Sequence, residues 1–237
     1  MTSRNASFHG QGIVGVLLTP LRWICISLML LVGLILAAWI VDWVFVFRVW
    51  PDGMARLQSI LERDIAQTHF IECWFGDLPE LSVRMANFLY ALIFRVTGIH
   101  EMGTRFADGT ALSIPDTIVR SAYLENFEAI QVAMLSTQII GVRLTTLVVM
   151  LPLITLAYAV AMTDGLVQRA IRRASGGRES SGIYHRAKYL QYVLVMMCMT
   201  IFLLWPSSMD FAAISGVSLT IAVVLVSVQW GYYKKHL

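Results

Sequence analysis

The sequence predicts an all-α membrane protein: four transmembrane helices, both termini in the cytoplasm (N-in/C-in), and a helical periplasmic domain between the first two spans. Three observations predict it. Of the 237 residues, 57% are hydrophobic and 14% charged, with a mean hydropathy of +0.69, whereas soluble domains carry about 25% charge. Four apolar runs are long enough to cross about 30 Å of hydrocarbon at 1.5 Å per residue. The basic residues gather at the ends and in one short loop, while the long polar stretch is acidic, which sets orientation by the positive-inside rule.

Residues 1–22 form the cytoplasmic N-terminus. They carry Arg4 and Arg22 and no acidic residue; Gly10, Gly12 and Gly15 loosen the stretch, and Pro20 marks the start of the first helix. Residues 23–47 are the first span, with Trp23 at one end and Trp43 and Trp50 at the other as interfacial anchors. The run is too long for a signal-peptide core, so no cleaved leader is expected.

Residues 48–133 are the periplasmic region, with 7 arginines against 11 acidic residues. Asp52 to about Phe70 reads as an amphipathic helix with Met54, Leu57, Leu61 and Ile65 on one stripe. Cys73 to Leu81, with Gly76 and Pro79, reads as a loop. Residues 81–99 are apolar but carry Arg84, Asn87 and Arg95. A fifth span there would separate the basic ends by parity and leave arginines in lipid, at roughly 2.5–3.5 kcal/mol each near the bilayer centre. The segment is therefore read as an amphipathic helix that can lie on the membrane surface. Pro115-Asp116 opens a further helix with Asp116 as N-cap.

Residues 134–163 are the second span, with Pro152 as a kink point. Residues 189–206 and 211–233 are the third and fourth, joined by a turn at Pro206–Asp210 into an antiparallel hairpin, and 234–237 is a cytoplasmic tail. Cys25 and Cys198 fall in separate apolar runs and Cys73 is alone in the polar region, so no disulfide within the chain is expected.

Residues 164–188 form the basic cytoplasmic loop. Arg169, Arg172, Arg173, Arg178, Arg186 and Lys188 face only Asp164 and Glu179. Arg169, Arg172 and Arg173 share one face if the preceding helix runs on. Gly176-Gly177 would end that helix, and Ser180 or Ser181 would cap the next. Positive-inside charge explains the arginines singly, but not Gly176-Gly177-Arg178-Glu179-Ser180 or Tyr184-His185-Arg186-Ala187-Lys188.

Those two stretches, with Asp164-Gly165-Leu166-Val167, Arg169 and Arg172-Arg173, resemble the signature of an inner-membrane family of integrating conjugative elements and large conjugative plasmids, which includes the TraJ protein of H-type plasmids. The resemblance implies a component of a type IV secretion apparatus for DNA. It also implies a membrane partner or scaffold of a coupling ATPase of the VirD4/TraG/TraD kind. Hexameric coupling ATPases in related systems allow a ring of copies of this chain. The partner-binding residues it points to are Asp164, Gly165, Arg169, Arg172, Arg173, Gly176, Gly177, Arg178, Glu179, Ser180, Tyr184, His185, Arg186 and Lys188.

Arginines in such a loop suit bidentate contacts with carboxylates or with anionic lipid headgroups. A net charge of +3 makes no case for DNA contact. Gly176-Gly177 lacks the Lys-Ser/Thr of a phosphate loop, a lone His185 has no metal-ligand companions, and no nucleophile elbow is present. No enzyme activity and no cofactor are expected. Two charges stand at membrane depth, Asp42 and Arg143, and their matching depth suggests a pair that fixes the register of the first two spans. A small transporter or channel subunit is the alternative function.

Overall fold

A computed structural model describes residues 10–107, 114–176 and 181–233. Among these, all regular structure is helical: α1 (Gly10–Val44), α2 (Gly53–Phe75), α3 (Leu78–Tyr90), α4 (Ile99–Ala107), α5 (Ile114–Glu125), α6 (Phe127–Ala174), α7 (Ser181–Leu204) and α8 (Phe211–Gly231). Wide π-type turns extend α1 (Phe45–Val49) and α3 (Ala91–Arg95). Four helices are long and apolar enough to cross a membrane: Arg22–Val49, Phe127–Ala174, Gly182–Leu204 and Ala213–Gly231.

The molecule is built along α6, 48 residues or about 72 Å at 1.5 Å per residue. Its two halves have different neighbours. The first is enclosed by α1, α2 and α3, and Val132, Ser136, Thr137, Ile139 to Arg143, Thr145 and Thr146 are all buried. In the second, Val148, Leu151, Leu153, Leu156 and Val160 are exposed and the partner is the α7–α8 hairpin. Two glycines allow the close approaches. A Cβ on Gly141 would lie 2.6 Å from Cα of Ala86 on α3, and one on Gly165 would collide with the Ser227 carbonyl of α8.

Several elements differ from expectation. α1 begins at Gly10 and passes through Pro20, because Ile13, Val14, Val16, Leu17 and Leu18 continue the apolar run upstream of Pro20. The loop expected at Cys73–Leu81 shrinks to Gly76-Asp77. α2 runs to Phe75, Gly76 takes a φ of +76°, and Pro79 sits in the first turn of α3, where its missing N–H costs nothing. The Cys73 side chain lies outside the described residues.

The helix expected at 81–99 exists as α3 and its π turn, and it packs lengthwise against α6. Leu78 packs with Leu147, Val149 and Met150, Ala86 sits on Gly141, and Tyr90 Oη reaches Met134 Sδ at 3.8 Å. A face of small residues, Ser82 and Ala86, matches the bare backbone at Gly141 and makes that alignment possible. Tyr90 Oη also lies 2.7 Å from His100 Nδ1, and burial pushes its phenol above the ordinary tyrosine value. α5 starts at Ile114, two residues ahead of the expected cap at Asp116.

The basic segment is helix, turn and helix, in line with the arginine spacing and the glycines. α6 continues through Arg169, Arg172 and Arg173 to Ala174, Gly176 turns the chain at a φ of +73°, and α7 begins at Ser181, so Tyr184–Lys188 are helical. Gly177, Arg178, Glu179 and Ser180, like residues 1–9 and 234–237, lie outside the described residues.

Candidate functional site

Polar chemistry gathers at the two ends of the α6–α7–α8 bundle. At one end Arg143 of α6 is 4% exposed. Its Nε donates to Asp64 Oδ2 on α2 at 2.7 Å. Its Nη1 donates to the carbonyls of Phe202 (3.1 Å), Leu203 (3.4 Å) and Trp205 (2.8 Å), and its Nη2 to that of Ser207 (2.9 Å). These oxygens terminate α7, where carbonyls have no partner within the helix and the helix dipole is negative. One guanidinium, with five donors in a rigid fork, satisfies them, and Asp64 balances its charge. Removing one partner of such a buried pair costs about 3–5 kcal/mol.

The direct ion pair suggested between Asp42 and Arg143 is replaced by one with Asp64, while Asp42 borders the same small pocket as Arg143. Asp42 accepts instead from Ser136 Oγ at 2.5 Å, beside a bond from Trp39 Nε1 to Thr137 Oγ1 at 3.0 Å. Both carboxylates border the buried half of α6, but Asp64 forms the salt bridge. Asp64 had a signal in the sequence. The buried stripe of α2 is Leu57, Ile60, Asp64 and Thr68, a helical spacing with a carboxylate in its middle, shifted from the purely apolar set Met54, Leu57, Leu61 and Ile65.

At the other end the end of α6 meets the end of α8. Arg172 Nη1 donates to the Gly231 carbonyl at 3.2 Å, and its Cζ lies 3.9 Å from the Tyr232 ring centroid. Arg169 Cζ lies 5.4 Å from the Tyr233 ring, which also meets Tyr184 at 5.6 Å and Trp230 at 5.5 Å. Asp164 Oδ2 accepts from Ser227 Oγ (2.5 Å) and Gln168 Nε2 (2.8 Å). Of the residues predicted for partner binding, Asp164, Gly165, Arg169, Arg172 and Tyr184 thus seat α8. Tyr184 and His185 pack edge to face at 5.2 Å. Arg173, Gly176, His185 and Arg186 are exposed and Lys188 is half-buried. The shared face read from the 169, 172, 173 spacing is divided: two arginines turn toward α8 and Arg173 turns away.

Among the described residues no group of three or more His, Cys, Asp or Glu could hold a metal ion. An apolar cavity of about 220 Å³ lies between α6, α7 and α8, bordered by Leu147, Met150, Leu194, Cys198, Phe202 and Leu219.

Residues 49–231 match the model of a family described as DtrJ-like, IncC plasmid conjugative DNA transfer protein DtrJ-like. No curated protein and no solved structure matches the chain. The matched stretch contains Asp64, Arg143, Arg169, Arg172 and Gly231, whereas Tyr232, Tyr233, Asp42 and nearly all of the first span lie outside it.

Proposed function

The chain belongs to the DtrJ-like family of plasmid conjugative DNA transfer proteins, and on that premise we propose that it is a non-enzymatic, multi-pass component of the bacterial inner membrane that holds the coupling ATPase of a type IV secretion system in place. In this reading the Arg172 end faces the cytoplasm and the acidic region at residues 48–133 faces the periplasm, as the positive-inside rule orients them. Nucleotide hydrolysis belongs to the partner, of the VirD4/TraG/TraD kind.

The observation that supports the docking surface is where the arginines stand. Arg169 and Arg172 are spent on Tyr233, Tyr232 and the Gly231 carbonyl. Arg173 and Arg186 are exposed on the helices either side of Gly176. Guanidinium groups presented on rigid helices suit acidic side chains on a partner. A transporter or channel reading would use Arg143 to line a path, but Arg143 is enclosed by Asp64 and the carbonyls that end α7.

Co-purification of the coupling ATPase with the full-length chain from conjugating cells tests the proposal. Arg173→Glu with Arg186→Glu places like charge at the contact, a change costing several kcal/mol in comparable interfaces. It is expected to lower ATPase recovery and DNA transfer by about tenfold or more, each tenfold corresponding to 1.4 kcal/mol, with the level of the protein in membranes unchanged. Undiminished recovery and transfer would overturn it. Loss of binding to anionic vesicles with the ATPase still bound would assign those arginines to lipid instead. Tags at Ser175 and near Asp108 are expected in opposite compartments.

A further inference from the structure

The α2–α3 hairpin reaches further along α6 than a domain resting outside the bilayer would. On α6 the uncharged stretch 144–163 lies between Arg143 and Asp164 and spans about 30 Å, the thickness of a hydrocarbon core. Trp205 and the α7–α8 turn lie level with Arg143, to which the Trp205 and Ser207 carbonyls are bonded. The tip of the hairpin passes that level. Leu78 packs among Leu34, Leu147, Val149, Met150 and Phe202, four to seven residues along α6 from Arg143, or about 6–10 Å.

One exposed face of α3 carries Asp77, Glu80 and Arg84 at i, i+3 and i+7. Glu80 and Arg84 are bonded at 2.5 Å, with their side chains still 60% and 73% exposed. Leu81 and Phe88 are exposed beside them. Between this stripe and Val149 runs an open groove of about 330 Å³. Lipid is a poor neighbour for that stripe, and no other helix of the described chain covers it.

We propose that the α3 stripe is the contact between copies of this chain in the membrane. It carries charges of both signs one helical turn apart. Copies related by an axis along the membrane normal keep their α3 helices parallel, and Arg84 of one then meets Glu80 or Asp77 of the next, as flanking charges do in parallel helix pairs. Leu81 and Phe88 supply the apolar area. This contact lies at the Arg143 end of the bundle and does not depend on the docking reading at the Arg172 end.

Cross-linking of the full-length chain in native membranes tests it, with Cys25, Cys73 and Cys198 replaced by alanine and a single cysteine at Glu80→Cys or Phe88→Cys. A short bis-maleimide is expected to give a covalent dimer from both positions, and none from Val160→Cys on the exposed face of α6. Glu80→Arg is expected to abolish the Phe88→Cys dimer, and Glu80→Arg with Arg84→Glu to restore it. Labelling of Glu80→Cys by a membrane-impermeant maleimide without dimer would show a water-facing stripe and overturn the proposal. So would cross-linking to a different protein, or no reaction at all. Should Glu80→Cys fail to accumulate, Phe88→Cys decides alone.

Discussion

Arg143 and Arg172 stand on the same helix and do the same local job, each closing the C-terminal end of one helix of the α7–α8 hairpin. They are supported differently. Arg143 is buried, engages four carbonyls and carries its own counter-charge in Asp64. Arg172 is half-exposed, engages one carbonyl and lies over the face of Tyr232. The difference follows from solvation. A guanidinium away from water requires a carboxylate and nearly complete hydrogen bonding. Near an open surface, a ring face and solvent suffice.

The largest effect that would break this comparison is at Arg143. Arg143→Met is expected to cost about 3–5 kcal/mol, because it leaves Asp64 buried and unpaired and the end of α7 uncapped. Thermal unfolding in detergent and the amount of protein in membranes are the measurements. Arg143→Met with Asp64→Leu is expected to recover part of that loss, since only the carbonyls are then left unsatisfied. A double-variant loss equal to the sum of the two single-variant losses would mean the pair is not coupled.

Gly141→Val comes next. It drives a side chain into Ala86 of α3, and overpacking of this kind costs about 1–3 kcal/mol. Proteolysis of α3 in otherwise folded protein should increase, and unchanged resistance would place α3 away from α6. Arg172→Ala is expected to cost about 1 kcal/mol, the sum of an exposed cation–π contact and one helix-end hydrogen bond. Its signature is fraying of α8 at Trp230–Tyr233, followed by tryptophan fluorescence. Smallest of all, Arg186→Ala is expected to shift stability by no more than about 0.5 kcal/mol. It would separate partner recovery from folding. If Arg172→Ala destabilised as much as Arg143→Met, burial would not be what distinguishes the two ends.

Some of this was legible from residue order. The spans announce themselves by length and hydropathy, and the antiparallel α7–α8 hairpin follows from the short Pro206–Asp210 turn. The helix through Arg169–Arg173 and the turn at Gly176 follow from spacing and from glycine's access to positive φ. The roles of those arginines did not follow, because Arg169, Arg172 and Arg173 look alike until α8 is placed beside two of them. Asp42 was as reasonable a partner for Arg143 as Asp64, since depth along a helix says nothing about which side of α6 a neighbour occupies. The reach of α2–α3 was hidden because Ser82 and Ala86 mean nothing without Gly141 opposite them.

Residue order alone thus determined how many helices are apolar enough to cross a membrane, where the chain turns between α6, α7 and α8, and which segment is basic. These are properties of one stretch of chain against its solvent, governed by hydropathy and backbone freedom. Only the tertiary structure decided which carboxylate neutralises Arg143, which arginines seat α8 and which stay exposed, and how far the α2–α3 hairpin descends along α6. Each of those depends on the lateral order of helices around α6, set by small-residue contacts and buried hydrogen bonds between residues as many as 94 positions apart in the chain.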